Sequence, residues 1–365
     1  MSPYVFIIFW LGIMGVFTAT IKLKKKEFVN GERVMRYPWI MAFIIFLPII
    51  WIAGTRGHVA DTYMYMGAFA EMPDSFNGIP KYIANVSKDK GFYFLSSLIK
   101  IVIGNNVMIY LTILAAVQGI SILSIFRKYS ENYLVSVFLF VASTDYFSWM
   151  FNGIRQFSAV TVIFAATALM LNKKYKTLLI VILLASTIHQ TALLMIPMVL
   201  IAQGKAWNKK TLFFIILSII GVLFVERFTS FLDIALAETQ YKNVVSDWQS
   251  WEDDGTNILR VLVYSVPTLL AFIGRKIVKC EENKSIHFMT NMSIISTGLY
   301  VVSMFTSGIF IGRIPIYASL YGYILLPWEI EQIFTKESRK IVYILMVIFY
   351  LMFYYYQFHF GWKMI

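Results

Sequence analysis

A succession of apolar runs separated by short basic clusters constrains this chain more than any other feature. Of its 365 residues 59% are hydrophobic and only 14% are charged, too little charge for a soluble domain of this size. A transmembrane helix needs about 20 apolar residues, and about 17 are tolerated. We therefore predict an all-α polytopic membrane protein with ten full spans, at residues 4–21, 38–54, 106–126, 133–147, 156–172, 211–225, 258–274, 286–306, 308–327 and 341–358.

Two apolar stretches do not fit a simple span. Residues 92–103 are too short to form a span and include Lys100. Residues 177–202 are longer than one span needs and have His189 and Gln190 at their centre. Six basic clusters, at 22–36, 127–128, 173–176, 205–210, 275–284 and 336–340, hold 21 of the 32 Lys and Arg residues. All six lie on the cytoplasmic side, as the positive-inside rule requires, if 177–202 is a re-entrant hairpin of two short helices. A single crossing by 177–202 would divide the 32 basic residues equally between the two sides.

This topology predicts one integral membrane domain over residues 1–365, with both termini outside. Residues 55–105 and 226–257 become interfacial segments on the outer face. The second segment contains Trp248 and Trp251, and its apolar spacing predicts a helix lying on the membrane surface. The single Cys280 excludes intrachain disulfides and thiol-rich metal sites.

Polar residues are predicted to converge on the outer face. The stretch Asn152-Gly153-Ile154-Arg155-Gln156 lies between two apolar runs, where an arginine is costly unless it has a function. The same topology places further polar side chains at this level from other elements, namely Arg56, Asp61, His189, Gln190 and Arg313. Each also has a structural interpretation: Arg155 and Arg313 can snorkel to headgroups, Asp61 can pair with Arg56, and His189 can be a hydrogen-bonded core residue.

Three arginines on separate elements favour recognition of a pyrophosphate, because the planar guanidinium binds phosphate oxygens through two parallel hydrogen bonds. A nearby carboxylate or imidazole would supply a general base. The sequence contains no HExxH motif, no P-loop and no Asp-x-Asp motif, so we expect no metal, no cofactor and no nucleotide-sugar donor.

The chain resembles the EpsG-like members of the Wzy-type polysaccharide polymerases. The resemblance is carried in order by Arg56 with Asp61 and Tyr63, by Lys90-Gly91-Phe92-Tyr93, by 152–156 with Ala159, by 185–192 around His189, and by Gly312-Arg313 with Tyr317. Family members often have an acidic residue before the Gly-Phe pair. This chain has Lys90 there, and we therefore assign no catalytic role to that segment.

The resemblance implies a GT-C-like enzyme of the bacterial plasma membrane that acts at the outer face. Such an enzyme transfers a growing glycan from undecaprenyl pyrophosphate to the terminal sugar of an incoming lipid-linked repeat unit. The expected partners are this lipid-linked oligosaccharide, membrane lipid, a flippase and a chain-length regulator, with no nucleic acid.

Residue roles follow from this chemistry. Arg155 and Arg313 are predicted to bind the pyrophosphate, with Arg56 assisting. His189 is the preferred base and Asp61 the second choice. The remaining candidates would orient Arg155 or contact sugar, and they are Asn152, Gln156, Gln190, Tyr63, Tyr317, Trp248 and Trp251.

Three other classes of function stay open at this point. A GT-C transferase could add a single sugar from a polyprenyl phosphate, or a ligase could move a whole glycan to another acceptor. A transporter or flippase would show an internal repeat and polar residues near the bilayer midplane, and neither is evident. A structural membrane subunit would tolerate replacement of Arg155 and His189.

Overall fold

The fold is helical, and the computed structural model describes residues 2–21, 23–29, 32–236 and 255–364. The chain divides into two compact units, residues 1–193 with 348–365 and residues 194–347. The helices of the first unit are α1 Pro3–Thr20, α2 Trp39–Gly54, α3 Thr62–Glu71, α4 Ile79–Asn85, α5 Lys90–Ile103, α6 Val107–Tyr129, α7 Tyr133–Ala142, α8 Asp145–Phe147, α9 Ile154–Ala165, α10 Thr167–Leu171 and α11 Tyr175–Ile188. The later helices are α12 Met195–Ala202, α13 Lys209–Leu223, α14 Val225–Leu236, α15 Ile258–Ile273, α16 Arg275–Cys280, α17 Lys284–Met304, α18 Ile316–Ser319, α19 Gly322–Ile333 and α20 Lys336–Tyr356.

Helices α2 and α6 form the closest pair in the first unit, because glycines line their contact. A Cβ atom at Gly54 would lie 2.7 Å from the Thr112 Cα atom, and one at Gly119 would lie 2.5 Å from the Ile50 side chain. Small residues let helix backbones approach in this way when the surrounding lipid offers no hydrophobic gain for association. This contact packs α2 against α6 directly before the loop that carries Arg56.

Helices α3 and α5 are joined by a buried lysine. Lys100 is 1% exposed and donates from Nζ to the backbone carbonyls of Ala70 at 2.9 Å and Met72 at 2.5 Å. It also pairs with Asp74 at 3.3 Å. Its ammonium thus caps carbonyls at the end of α3 that have no partner within the helix. This explains how a short apolar helix, α5, contains a charge.

The basic cluster at 22–36, for which we predicted only a cytoplasmic connection, contains a two-stranded antiparallel hairpin. Its strands are β1 Lys25–Val29 and β2 Glu32–Arg36. The sequence has Asn30-Gly31 between them, the pair most typical of a tight hairpin turn. The fold is therefore helical, as predicted, with this one small sheet among the described residues.

The chain bends directly after α7. The axis of α7 and that of the following helical segment, Asp145–Asn152, differ by 66°. Its last turn, Ser148–Asn152, is a π-helix, a feature common at functional sites. The next residue is Gly153. A larger residue would be crowded at this position, because a Cβ atom there would lie 2.8 Å from the Trp149 ring. The bend delivers Asn152 and Arg155 to the start of α9.

The second unit packs α17 against α13, α15 and α19. Polar side chains of α17 bind the connection before α13: Asn291 donates to the carbonyls of Ala202 at 2.9 Å and Lys205 at 3.2 Å, and His287 accepts from the Ala206 amide at 3.2 Å. These bonds satisfy backbone groups that the low-dielectric interior would otherwise leave unpaired.

Most predicted spans coincide with helices, although many helices are shorter than a full span. In the described part of the chain three helices are long and apolar enough to cross a membrane, or five if the two bent pairs each count as one span. Where we predicted a hairpin at 177–202, the chain forms two short helical segments, α11 and Gln190–Ala202, with His189 between them. The count of ten spans and the re-entrant course of these helices stay predictions.

Candidate functional site

Arg155 and Asp89 form the central ion pair of a polar cluster in the first unit. Arg155 lies in the first turn of α9, and its Nη1 is 2.9 Å from Oδ2 of Asp89, the residue before α5. The Asp89 side chain is 3% exposed, whereas that of Arg155 is 22% exposed. One guanidinium nitrogen of Arg155 is therefore held by a buried carboxylate, while part of the side chain remains exposed.

Asp89 is placed for contact with Arg155 rather than for capping α5. Its backbone has φ 57°, in the left-handed region that Asp tolerates better than most residues. Its side chain makes no capping hydrogen bond to α5, and Oδ1 has no hydrogen-bond partner. Burial raises the pKa of Asp89 above its usual range, while Arg155, Lys88 and the backbone amide of Gln190 act in the opposite direction.

Two tyrosines complete the surroundings of Arg155. The Tyr65 hydroxyl, on α3, interacts with the Arg155 side chain both electrostatically and through a hydrogen bond. The Tyr93 ring, on α5, has its centroid 5.9 Å from the guanidinium carbon, within the range of a cation–π contact. Burial raises the pKa of Tyr65, and in this hydrogen bond the Arg155 guanidinium donates to the Tyr65 hydroxyl oxygen, because arginine has no acceptor.

Asp61 and Asn152 form a second pair beside this one. The Asn152 amide nitrogen, oriented toward the carboxylate, lies 3.0 Å from Oδ1 and 2.9 Å from Oδ2 of Asp61. Asp61 also acts electrostatically on Tyr65. The predicted neighbours Asp61 and Asn152 thus meet, and Tyr65 connects them to Arg155.

Arg56 lies in the same region but is bound mainly by its own loop. Its Nε donates to the Thr62 hydroxyl at 2.9 Å, and its Nη1 donates to the Ala53 carbonyl. The Phe151 ring centroid is 5.0 Å from its guanidinium carbon. Burial lowers the pKa of Arg56 to about 10, opposed chiefly by Tyr65, so it remains a cation at neutral pH. The interaction of Tyr65 with both arginines indicates that Arg56 and Arg155 belong to one cluster.

The backbone at Gln190, after the end of α11, reaches the cluster, and His189 precedes it in the chain. His189 Nδ1 lies 2.7 Å from the Thr191 hydroxyl, and the backbone amide of Gln190 acts on the Asp89 carboxylate. The approach depends on Gly91, where a Cβ atom would lie 2.1 Å from the Thr187 hydroxyl oxygen and 2.8 Å from the Thr187 carbonyl carbon. Only glycine lets α5 and α11 meet this closely.

The other predicted site residues lie elsewhere. Tyr63 is exposed on α3, and Gln156 is buried in α9. Arg313 ends a short helical turn, Ile311–Arg313, and Tyr317 is buried in α18, both in the second unit. Trp248 and Trp251 fall outside the residues that the structure describes.

Three residues that the sequence analysis did not select carry much of the polar chemistry. Asp89 and Tyr65 contact Arg155. In the second unit Glu329 is fully buried in α19, and neither carboxylate oxygen has a hydrogen-bond partner. The sequence does carry a signal for Asp89, which is an acidic residue one position before Lys90. In the described residues no group of three or more His, Cys, Asp or Glu side chains could hold a metal ion.

The fold and the cluster define a helical membrane protein whose ionisable side chains gather at the ends of several apolar helices. The match to known families specifies its class further. Residues 39–363, nearly the whole chain, match the EpsG family, and the chain belongs to that family. EpsG proteins are Wzy-like, so the protein is a membrane-embedded polymerase-type glycosyltransferase of polysaccharide synthesis. No curated protein and no solved structure matches the chain.

Proposed function

We propose that this protein extends a polysaccharide by transferring the growing glycan from undecaprenyl pyrophosphate to an incoming lipid-linked repeat unit. The bond between the sugar anomeric carbon and the pyrophosphate oxygen breaks, and a bond from that carbon to the acceptor hydroxyl oxygen forms. The hydroxyl proton passes to a base on the protein, and undecaprenyl pyrophosphate leaves. No nucleotide sugar, cofactor or metal enters this scheme.

The arrangement around Arg155 carries the proposal. A leaving pyrophosphate gains negative charge in the transition state, and preorganised cations stabilise that charge without reorganising during the reaction. Asp89, Tyr65 and Tyr93 hold Arg155 while 22% of its side chain remains exposed. The guanidinium therefore has a fixed orientation, and we propose that the exposed part of the side chain gives an anion access to it.

Arg56 would add a second positive charge, because Tyr65 interacts with both arginines. Arg313 is the third proposed pyrophosphate ligand, from the second unit. Asp89 acts as a positioning residue, since it touches Arg155 and is itself almost entirely covered.

The base is proposed to be His189. Asp61 is already engaged by the Asn152 amide, whose nitrogen lies within hydrogen-bond distance of both of its carboxylate oxygens. The Thr191 contact at Nδ1 orients the His189 ring. Asn152 and Gln156 would orient Arg155 or the sugar, while Gln190, Tyr63, Tyr317, Trp248 and Trp251 are the proposed sugar contacts.

The proposed setting is the outer face of the bacterial plasma membrane, with ten spans, a GT-C-like architecture and both termini outside. Membrane lipid, a flippase and a chain-length regulator are the proposed partners. Labelling of a cysteine introduced at Lys209, in a Cys280→Ser background, tests this topology: the residue should react only from the cytoplasmic side, and reaction from outside would overturn it.

Deletion of the gene followed by analysis of lipid-linked glycan tests the reaction. Accumulation of single repeat units in place of polymer supports the polymerase. Polymer of normal length that lacks one branch sugar would identify a single-sugar transferase. Polymer confined to the lipid carrier would identify a ligase, and repeat units trapped on the cytoplasmic leaflet would identify a flippase.

Reconstitution separates direct from indirect effects. Purified protein in liposomes, supplied with lipid-linked repeat units alone, should produce longer glycans and release undecaprenyl pyrophosphate. Glycan extension by the wild type but not by variants of the proposed site would assign the reaction to this chain. If well-folded wild-type protein did not extend the glycan, the proposal would be overturned.

A further inference from the structure

The hairpin of β1 and β2 presents two different faces. Alternate residues of a strand point to opposite sides, and the register pairs Lys26 with Met35 and Glu27 with Val34. Lys26, Phe28 and Met35 consequently share one face, which we call the outer hairpin face. Glu27 and Arg36 belong to the other face.

The face containing Glu27 and Arg36 is bound to the protein. Glu27 forms an ion pair with Arg127 at the end of α6, and Arg36 donates from Nε to the Lys128 carbonyl at 3.1 Å. Arg127, which is 3% exposed, also donates to the Tyr37 carbonyl at 2.6 Å. These contacts hold the hairpin in a defined orientation against α6.

The outer hairpin face is both apolar and basic. Phe28 is 69% exposed and Met35 is 46% exposed, and Lys26 beside them is exposed as well. The segment 22–36 carries six basic residues against two acidic ones. Large apolar side chains next to lysines form the composition typical of a surface that enters the headgroup region of an anionic membrane.

The position of the hairpin in the chain supports the same partner. It connects α1 with α2, both apolar helices of this membrane-embedded protein. The first residues of α2, Trp39 and Ile40, are exposed at 55% and 73%. A tryptophan at a helix start is typical of the membrane–water interface, so the adjoining hairpin lies at headgroup level.

We propose that the outer hairpin face docks on anionic lipid, with Phe28 and Met35 inserted at the level of the headgroups and Lys26 bound to lipid phosphates. The inner contacts of Glu27 and Arg36 with α6 would then couple the lipid surface to the position of that helix. This surface is independent of the proposed polymerase reaction.

Environment-sensitive fluorescence on the full-length protein tests this docking. In a Cys280→Ser background, Phe28→Cys, Met35→Cys and Lys25→Cys are labelled separately with a nitrobenzoxadiazole dye and placed one copy per nanodisc. In nanodiscs of phosphatidylglycerol and phosphatidylcholine, the labels at 28 and 35 should emit at shorter wavelength than the label at 25, the matched control on the opposite face.

Lipid charge and protein charge are then varied. The shift at position 28 should shrink in nanodiscs of phosphatidylcholine alone, and also when Lys26→Gln is added. Equal emission from positions 25 and 28 in anionic nanodiscs would overturn the proposal. So would a shift at position 28 that is the same in detergent without phospholipid, or one that arises only with two copies per nanodisc, which would identify a second chain as the occupant.

Discussion

Arg155 and Asp89 join the first turn of α9 to the residue before α5, with Nη1 2.9 Å from Oδ2. Removing one partner from a buried ion pair costs about 3–5 kcal/mol, since it leaves the other charge uncompensated. The pair therefore orients a cation and also connects two helices, and variants must separate these two roles.

Arg155→Lys tests the orienting role. Lysine keeps the charge and can still reach Asp89, but it lacks the planar fork that binds phosphate through two parallel bonds. We expect loss of polymer with normal protein abundance, measured by lipid-linked glycan analysis and immunoblotting of membranes. Arg227→Lys, an exposed arginine on α14, is the matched control and should form normal polymer. Near-normal polymer from Arg155→Lys would remove the guanidinium from the mechanism.

Asp89→Asn tests the pH dependence of stability. Burial raises the pKa of Asp89 above its ordinary value of 3.8, so the folded state holds the proton at pH values where the unfolded chain has lost it. The contribution of Asp89 to stability is then fully present at low pH and declines as pH rises through the raised pKa. We expect the melting temperature of the wild type in detergent, relative to that of Asp89→Asn, to fall as the pH is raised above the ordinary pKa of 3.8. A relative melting temperature that rises would mean that Arg155 outweighs burial.

Gly91→Ala tests the close approach of α5 and α11. The added Cβ would lie 2.1 Å from the Thr187 hydroxyl oxygen and 2.8 Å from its carbonyl carbon. Overpacking of this kind costs about 1–3 kcal/mol, so we expect a lower melting temperature and less polymer. Thr187→Ala in addition should restore only part of the loss, because the backbone contact remains.

The matched control for this variant is Gly67→Ala. Gly67 lies in α3, where an added Cβ meets nothing within 4 Å. Alanine there should leave stability unchanged or raise it, because glycine is the poorer helix former by about 1 kcal/mol. An equal loss of stability from both alanines would contradict a specific contact at Gly91.

The sequence predicted more of the fold than of the site. Apolar length and charge distribution are properties of the linear chain, so the helices around Arg155 and the break at His189 could be predicted. The Asp89–Arg155 ion pair could not be predicted, because it joins segments that are distant in the sequence and depends on a left-handed backbone conformation at Asp89. The lysines of 22–36 indicate topology and do not predict the β1–β2 hairpin, whose one signal in the sequence is the turn-forming pair Asn30-Gly31.

Exchanging Asp61 and Asn152 tests their mutual hydrogen bonds. Asn152→Asp alone places two carboxylates about 3 Å apart and should lower stability, while Asp61→Asn alone removes a charged acceptor worth about 2 kcal/mol. The double variant restores one carboxylate facing one amide, and we expect its melting temperature to recover most of the loss. If His189 is the base, polymer should recover as well. Recovered stability without polymer would instead assign the base to Asp61.

Lys100 provides a test of the contact between α3 and α5 that does not involve the proposed chemistry. Lys100→Met keeps much of the apolar volume but leaves the Ala70 and Met72 carbonyls without their donor. Each buried group left unpaired costs about 1–3 kcal/mol, so we expect a marked drop in melting temperature. Lys90→Met, at an exposed position on the same helix, is the matched control and should change the melting temperature little.

Because α3 carries Tyr65, loosening its end in Lys100→Met should also reduce polymer, and limited proteolysis near residue 74 should increase. Unchanged proteolysis in Lys100→Met would show that α3 is held by its apolar contacts, chiefly Phe69 stacked on Tyr110 at 4.3 Å, rather than by the lysine.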